Sequence, residues 1–390
     1  MDRLRIERED GLIEEHVRRP VSYLNSAVAA QEWEEAQRRK GRPFASFALA
    51  AMGITPMGTG RGNWIWGNLV LVALVLLLTA IVTSGKEHRV GTSMYFTMVT
   101  GTLAFSGFFG LVSLRIQKLQ DLLGPRRRPL EFYTCVFGFW DSWHRMSKKC
   151  LTVVLALWFV STFSQALMNL QFQCPQSGES SFSTCVINFS VLALVFGTFY
   201  CKLHICCSLE LAIDHYCIRF FENQDLPNGI VEWNVMQAML RRAAHVVEAA
   251  FVSVSTGVLG IVVLTSVEFV KMFGDASAQG LNGFTAKDAV CMGLWTTWIV
   301  PLVALVFYFV FRAAAITEKC NRVPALVNSW MLTERHIDHE KQYVVQYIMH
   351  SAAGYYVMGA RLNATWALKL SYLFGVLLFS LLTQSVLKGS

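Results

Sequence analysis

The segment with the densest reactive side chains is ERHIDHE, at residues 334–340. His336 and Glu340 are four residues apart and would share one face of a helix, as metal ligands do. The alternative interpretation is a solvated helix start, with Asp338 near an N-terminus whose dipole favours negative charge. We favour this second interpretation and predict no metal site and no enzymatic activity. A membrane enzyme would instead depend on His336, His339 or Glu340.

The ten cysteines are the second candidate for chemistry. Cys174 and Cys185 bound the short loop CPQSGESSFSTC and are the candidate pair for a disulfide that closes it on an oxidising outer side. Four further cysteines accompany His204. Metal binding there is conceivable, but adjacent cysteines cannot form the usual paired zinc knuckle, so palmitoylation or simple packing is favoured. No cofactor is predicted. The four cysteines near His204 are Cys201, Cys206, Cys207 and Cys217.

The elements that position these side chains are predicted to be membrane spans. With 54% hydrophobic and 16% charged residues among 390, the chain is too apolar for one soluble domain of this length. Seven charge-free runs of about 20 residues are each long enough to cross roughly 30 Å of hydrocarbon. The predicted fold class is an all-α membrane protein with seven transmembrane helices. The runs begin at Asn63, Ser93, Cys150, Phe182, Ala249, Ala289 and Leu370.

The distribution of Lys and Arg predicts the orientation, since cytoplasmic loops collect positive charge. Segments 1–62, 115–149, 202–248 and 312–365 carry 28 of the 34 Lys and Arg residues, and the alternate loops carry 5. The amino terminus is therefore predicted to be cytoplasmic and the carboxyl terminus extracellular, opposite to rhodopsins and G-protein-coupled receptors. The net charge of +7 belongs mostly to this pattern. The predicted partner is thus the lipid bilayer, and no nucleic-acid partner is predicted.

Lys369 lies just before the last span, where a rhodopsin would carry its retinal-binding lysine. It stands at the inner end of that helix, the third span lacks an acidic counter-ion, and the orientation is inverted. Snorkelling to the inner interface, or lining a wet inner vestibule, is therefore the better explanation. The first six spans contain almost no deep ionisable residue, which leaves a proton-coupled carrier unsupported.

The chain divides into two predicted regions. Residues 1–62 form a cytoplasmic region whose apolar segment FASFALAAMGITPMG is too short to span, which predicts an interfacial or re-entrant helix. Residues 63–390 form the seven-helix domain. In its cytoplasmic extensions, 202–248 and 312–365, apolar residues keep helical spacing beyond the membrane and predict a helical stem. Leu226-Pro-Asn-Gly is a turn signal between two of these helices.

Aromatic side chains populate several spans, and six of them could bound an apolar pocket for a small organic ligand. The alternative is packing against lipid, which is the default for apolar side chains of a span. The six candidates are Phe105, Phe108, Trp158, Phe159, Trp295 and Trp298.

Three stretches resemble the insect odorant and gustatory receptors and their gustatory-receptor-like relatives in other animals, protists and plants. AAAITEKCNRVPALVN, at 313–328, is similar to the stretch after that family's sixth span. QYIMHSAAGYYVMGARLNATWALKLSYLFGVLLF, at 346–379, looks like its bipartite seventh helix, with a glycine-bearing break around 354–363. RPFASFALAAMGITPMG also resembles the family's re-entrant segment.

The family's terminal signature is Thr-Tyr, five mostly apolar residues, then Gln-Phe. In this chain Ser371-Tyr372 and Leu378-Phe379 occupy those places, so the tyrosine and phenylalanine match and leucine replaces glutamine.

The resemblance implies a seven-helix receptor whose inner helices form an anchor domain. It also implies a homotetrameric, ligand-gated cation channel in the plasma membrane, with the last helix of each subunit lining the pore and an outer-half ligand pocket between the second and sixth spans. The alternative is a non-conducting membrane protein of the same fold with structural or signalling interactions. The pore and gate candidates are Tyr372, Gly375, Leu378, Leu381, Leu382 and Gln384.

Overall fold

The computed structural model describes residues 92–116, 139–168, 182–223, 226–278, 286–329 and 339–389. These residues form seven helices and one two-stranded hairpin. In chain order the elements are α1 (Thr92–Ile116), α2 (Phe139–Ala166), α3 (Phe182–Asn223), α4 (Leu226–Ala278), α5 (Ala286–Ser329), α6 (His339–His350), β1 (Tyr356–Val357), β2 (Ala360–Arg361) and α7 (Ala364–Gly389).

The predicted all-α membrane architecture is confirmed. The second to seventh predicted spans lie in α1, α2, α3, α4, α5 and α7, while the first span and the re-entrant segment lie outside the described residues. Four of the described helices, α2 to α5, are long and apolar enough to cross a membrane. Helices α1 and α7 contain shorter apolar stretches, Met98–Leu114 and Ala364–Leu377. The orientation of the chain stays a prediction.

Three helices are much longer than a bilayer is thick. Helices α3, α4 and α5 contain 42, 53 and 44 residues, which at about 1.5 Å per residue correspond to roughly 60–80 Å. A hydrocarbon core needs only about 30 Å. The helices are therefore longer than a span requires, and the predicted extension of α3, α4 and α5 into the cytoplasm stays a prediction. Helix α5 also runs without interruption through Pro301 and Pro324.

The predicted turn at residues 226–229 is instead the first turn of α4, which begins at Leu226. Pro227 is tolerated there because the N–H groups of a first helical turn have no intrahelical acceptor, so a missing N–H costs nothing. Gly229 lies against the ring of Phe220, where an added Cβ would come within 2.3 Å of a ring carbon. Helices α3 and α4 therefore run antiparallel, and glycine allows them to approach closely.

Helices α1 and α4 also cross closely, at Gly257. A Cβ at this position would lie 2.3 Å from Ser106 Oγ and 2.5 Å from Ser106 Cβ. Nearby, a Cβ at Gly110 would lie 2.9 Å from a methyl group of Val254. Small residues of this kind are what allows membrane helices to gain van der Waals contact.

The core continues into the helical extensions. Tyr216 of α3 and Trp233 of α4 are fully buried, with ring centroids 5.2 Å apart. The indole N–H of Trp233 donates to Ser351 Oγ at 2.8 Å, just after α6. The Tyr347 hydroxyl of α6 donates to Asn234 Oδ1 at 2.6 Å. Helix α6 is therefore packed and hydrogen-bonded to the extension of α4, forming a stem with its own core.

A short β-hairpin separates α6 from α7, and it lies within the interruption of the helix that was predicted at 354–363. Tyr356 pairs with Arg361 and Val357 with Ala360. Met358 and Gly359 connect the strands with φ of 50° and 75°, the left-handed conformation that a two-residue type I′ turn requires.

The hairpin is attached to the long helices on both sides. The Tyr355 N–H donates to Thr317 Oγ1 at 2.9 Å, and burial raises the pKa of the Tyr355 phenol well above its ordinary value. A carboxylate oxygen of Glu248 accepts from the Met358 N–H. Asn363 then caps α7, because its Oδ1 accepts the Trp366 N–H at 2.8 Å. The start of the last helix is thus fixed by α4 and α5.

Candidate functional site

Four helices bring part of the predicted aromatic set together. Trp158 of α2 packs edge-on against Phe189 of α3, with centroids 4.8 Å apart. Trp295 and Trp298 of α5 form a similar edge-on pair at 6.1 Å, and both are buried. Ser161 Oγ donates to the Trp298 carbonyl at 3.1 Å and joins α2 to α5. Helix α1 reaches the same region through Thr100 Oγ1, 3.3 Å from Asn188 Oδ1.

Other members of the predicted set face outward. Phe105 and Phe159 are each 64% exposed, and their rings stack on Phe109 and Phe163 of their own helices at 6.2 and 5.9 Å. Phe108 is half-buried. For Phe105 and Phe159, packing against lipid is therefore the interpretation that the fold supports.

The aromatic cluster contains polar atoms without hydrogen-bond partners. Within the described part of the chain, the indole N–H groups of Trp158 and Trp298, the amide nitrogen of Asn188 and the amide oxygen of Gln165 are buried and unsatisfied. A buried polar group that makes no hydrogen bond costs about 1–3 kcal/mol. Unsatisfied donors and an acceptor at an apolar, aromatic site are the features that a small, mostly apolar ligand with one or two polar atoms would use. Sequence patterns cannot reveal which donors remain unsatisfied.

A second apolar site, which the sequence analysis missed, lies between α4, α5 and α7. It is a partly open cavity of about 370 Å³. Its wall is almost entirely apolar, and Ser255 Oγ is buried there without a hydrogen bond to any described residue. The lining includes Phe251, Val258 and Val262 of α4, Val303 and Phe307 of α5, and Leu370, Leu373, Phe374 and Leu377 of α7.

Among the described side chains of α7, those that pack on the rest of the chain lie along one stripe. Ala367 is fully buried against α5, and the ring of Phe374 meets Phe307 edge-on at 5.3 Å. Tyr372 and Phe379, by contrast, are 72% and 71% exposed, and a Cβ at Gly375 would touch nothing. The predicted pore residues Tyr372 and Gly375 thus lie on the uncovered side of α7. The helix continues through Leu378, Leu381, Leu382 and Gln384, whose side chains lie outside the described set.

The described residues of the predicted polar segment, and Lys369, lie on the surface. His339 and Glu340 form the exposed first turn of α6, while Glu334, Arg335, His336 and Asp338 lie outside the described residues. Among the residues that the structure describes, no group of three or more His, Cys, Asp or Glu side chains could hold a metal. Lys369 is exposed at the start of α7, with its ammonium 5.8 Å from the ring of Trp366.

The cysteines differ from the predictions. Cys291 of α5 is disulfide-bonded, whereas Cys185 retains its thiol, so the predicted Cys174–Cys185 disulfide is wrong for Cys185. Helix α3 already begins at Phe182, and Cys185 is therefore fixed on a helix and not in a loop. Cys174 lies outside the described residues.

Palmitoylation is also wrong for three of the inner cysteines, because an acylated thiol must face lipid. Cys201, Cys206 and Cys207 are buried inside the helix bundle, and Cys217 is half-buried. His204 contacts Ser147, with Nδ1 2.7 Å from the hydroxyl oxygen. Simple packing, the other interpretation offered above, therefore describes these side chains.

Ion pairs that were not predicted from the sequence join α3 to α5. Arg312 Nη1 lies 3.0 Å from Glu210 Oε2, and Lys319 Nζ lies 2.6 Å from Asp214 Oδ2. The sequence spacing could have indicated these pairs. Glu210 and Asp214 are four residues apart and Arg312 and Lys319 are seven apart, so each pair of like charges lies on one face of its helix.

Together these features define a multi-pass, all-α membrane protein whose last helix is joined to a helical stem through a short hairpin. The insect olfactory receptor OR5 from Machilis hrabei has a similar structure, with a TM-score of 0.54 and 13% identity over 88% of this chain and 97% of that one. The same receptor in complex with eugenol gives a TM-score of 0.55 and 11% identity over 93% and 98%.

The similarity extends over nearly the whole length of both chains, and it shows that this protein has the fold of the insect olfactory receptors. The sequence matches no protein-family profile and no curated protein.

Proposed function

We propose that this protein is one subunit of a homotetrameric, ligand-gated cation channel of the plasma membrane, with α7 lining the pore. The observation that carries this proposal is the exposed face of α7. One stripe of the helix packs on α4 and α5, while Tyr372 and Phe379 are exposed and a Cβ at Gly375 would touch nothing. Ser380 and Thr383 add exposed hydroxyl-bearing residues to the same helix. Side chains of this mixed character suit a helix that meets its symmetry copies around a narrow aqueous axis.

The ligand proposed for this channel is a small, mostly apolar organic molecule with a hydrogen-bond acceptor. It would bind at the aromatic cluster of α1, α2, α3 and α5, where Trp158 and Trp298 hold unsatisfied N–H donors. The similar receptor from Machilis hrabei is also found in complex with eugenol, a molecule of this size and character. Because Trp298 is tightly buried, we expect ligand entry to displace aromatic side chains.

Oligomeric state and conduction test the first part. Purified protein in detergent or nanodiscs should form particles with fourfold symmetry, visible by electron microscopy, and reconstituted protein should carry cation current when a panel of small odorants is applied. A monomeric particle that stays silent across the panel would overturn the proposal.

Tryptophan substitutions test the ligand site. Trp298→Phe and Trp158→Phe remove an indole N–H that has no hydrogen-bond partner among the described residues, but the smaller ring leaves a cavity in the packed cluster, so thermal stability should fall modestly. Agonist potency should fall about tenfold for each, the equivalent of one hydrogen bond of about 1.4 kcal/mol. Phe159→Leu is the matched control, because this exposed ring lies on the outer face of α2. Equal potency in all three variants would place the ligand elsewhere.

A second candidate function, a non-conducting membrane protein of the same fold, is supported by Leu378. The resembled signature has glutamine at this position, and an amide can replace part of an ion's hydration shell whereas leucine cannot. Leu378→Gln separates the two functions. A silent parent and a conducting variant would favour the non-conducting role, whereas a conducting parent would favour the channel.

A further inference from the structure

Two buried thiols lie in contact between α2 and α3. Cys150 Sγ and Cys207 Sγ are 3.4 Å apart, and the residues are 2% and 0% exposed. Both are reduced. They lie 57 residues apart in the chain, so their contact depends on how the two helices are rotated against each other.

The surroundings of the pair favour thiolate chemistry over metal binding. Arg312 of α5 places Nη2 3.4 Å from Cys207 Sγ, and the Tyr308 hydroxyl lies 3.6 Å from Cys150 Sγ. A guanidinium next to a thiol stabilises the thiolate and increases its reactivity. The same positive charge repels a metal cation, and two sulfur atoms fall short of the four ligands that structural zinc requires.

We propose that Cys150 and Cys207 form a reversible disulfide when the cell is exposed to hydroperoxides. One sulfur of the pair, as the thiolate, attacks one peroxide oxygen, the O–O bond breaks, and a sulfenic acid and a hydroxide are formed. The other sulfur then attacks the sulfenic sulfur, loses its proton and displaces a second hydroxide. Overall, two thiols lose two electrons and two protons, and one hydrogen peroxide becomes two waters.

The helix pair needs only a small adjustment to form this bond. A disulfide has an S–S length of about 2.05 Å, so the two sulfur atoms must approach by roughly 1.4 Å. Rotation about the Cα–Cβ bonds can supply much of that movement because both side chains are short. In the reducing cytosol such a disulfide would be transient, which is the usual character of cytosolic redox sites.

Oxidation would change more than the two sulfur atoms. Arg312 contacts Cys207 with one nitrogen and Glu210 with the other, so a disulfide, which carries no negative charge, leaves Glu210 as the anionic partner of this guanidinium. The disulfide would also lock α2 against α3. This property is independent of ion conduction, and its test does not require a functional channel.

Peptide mapping under non-reducing conditions tests the proposal. The full-length protein in detergent is treated with hydrogen peroxide, quenched by alkylation in denaturant and digested. We expect a cross-linked peptide that contains Cys150 and Cys207, with two fewer alkylatable thiols per chain, and recovery of both thiols after treatment with dithiothreitol.

Cys206→Ser is the matched control, because this neighbour is equally buried but points about 100° away around α3. It should form the cross-link as the parent does, whereas Cys150→Ser and Cys207→Ser should not. Arg312→Gln should slow cross-linking about tenfold, and Arg312→Lys should slow it less. Monodisperse elution in size-exclusion chromatography confirms folding of each variant. Retention of both thiols after peroxide treatment, or a cross-link between other cysteines, would overturn the proposal.

Discussion

The close approach of α1 and α4 at Gly257 makes a prediction with a built-in control. Gly257→Ala would place a Cβ 2.5 Å from Ser106 Cβ, an atom tied to the backbone that cannot swing away. One turn later on the same helix, Gly260→Ala meets only a methyl group of Thr102 at 3.8 Å, an ordinary contact. Both substitutions replace glycine by alanine within α4, and only Gly257→Ala introduces a steric clash.

The magnitude follows from two opposing terms. Alanine is more favourable than glycine inside a helix by about 1 kcal/mol, and both variants gain this. Overpacking costs about 1–3 kcal/mol, and only Gly257→Ala incurs it. We therefore expect Gly257→Ala to be less stable than Gly260→Ala by about 1–3 kcal/mol, a difference of several degrees in melting temperature.

Thermal denaturation in detergent, followed by fluorescence-detected size-exclusion chromatography, measures this difference as an apparent Tm. Ser106→Gly removes the clashing atoms, so Gly257→Ala should cost less in the Ser106→Gly background than in the parent, by about 1–2 kcal/mol in a double-mutant cycle. Equal apparent Tm values for Gly257→Ala and Gly260→Ala, or a zero coupling energy, would refute the close crossing.

Three further predictions concern single side chains and use the same measurement of apparent Tm. Asn363→Ala should lower stability by about 1 kcal/mol, because it removes the α7 cap, and Asn363→Asp should retain most of it. Trp233→Phe should cost about 1–3 kcal/mol, since Ser351 loses its indole partner. Lys202 is fully buried, donates to the Ala250 carbonyl and lies over the rings of Phe199 and Phe251; it has no carboxylate partner among the described residues, so Lys202→Met should leave stability unchanged or raise it.

The positions of the helices could be predicted from the sequence, but the rotation of each helix about its own axis could not. Charge-free runs located the spans, and apolar spacing beyond them predicted the extensions of α3, α4 and α5, because length and periodicity are local properties. In a membrane, however, lipid and protein core are both apolar. Phe159 and Trp158 are neighbours of similar character in the sequence, yet Phe159 is exposed while Trp158 packs against Phe189.

The same limit explains which parts of the candidate site were missed. The cavity between α4, α5 and α7 and the Cys150–Cys207 contact both depend on the relative rotation of helices far apart in sequence. Polar residues carried more information, because charges inside a bundle need partners: Glu210 and Asp214 could have been matched with Arg312 and Lys319 by spacing alone.

The arrangement of the stem suggests how a change at the aromatic cluster could reach α7. Helix α5 contributes Trp298 to the aromatic cluster. About five turns later in the same helix, Thr317 Oγ1 accepts a hydrogen bond from the N–H of Tyr355, which lies in the segment that leads to α7. A shift of α5 therefore moves the start of α7, which is held there by the Asn363 cap and by Glu318, whose carboxylate accepts the Ala364 N–H at 3.3 Å. Among the described residues these hydrogen bonds lie at the start of α7, and beyond them the helix is held by apolar packing such as that of Phe374 on Phe307.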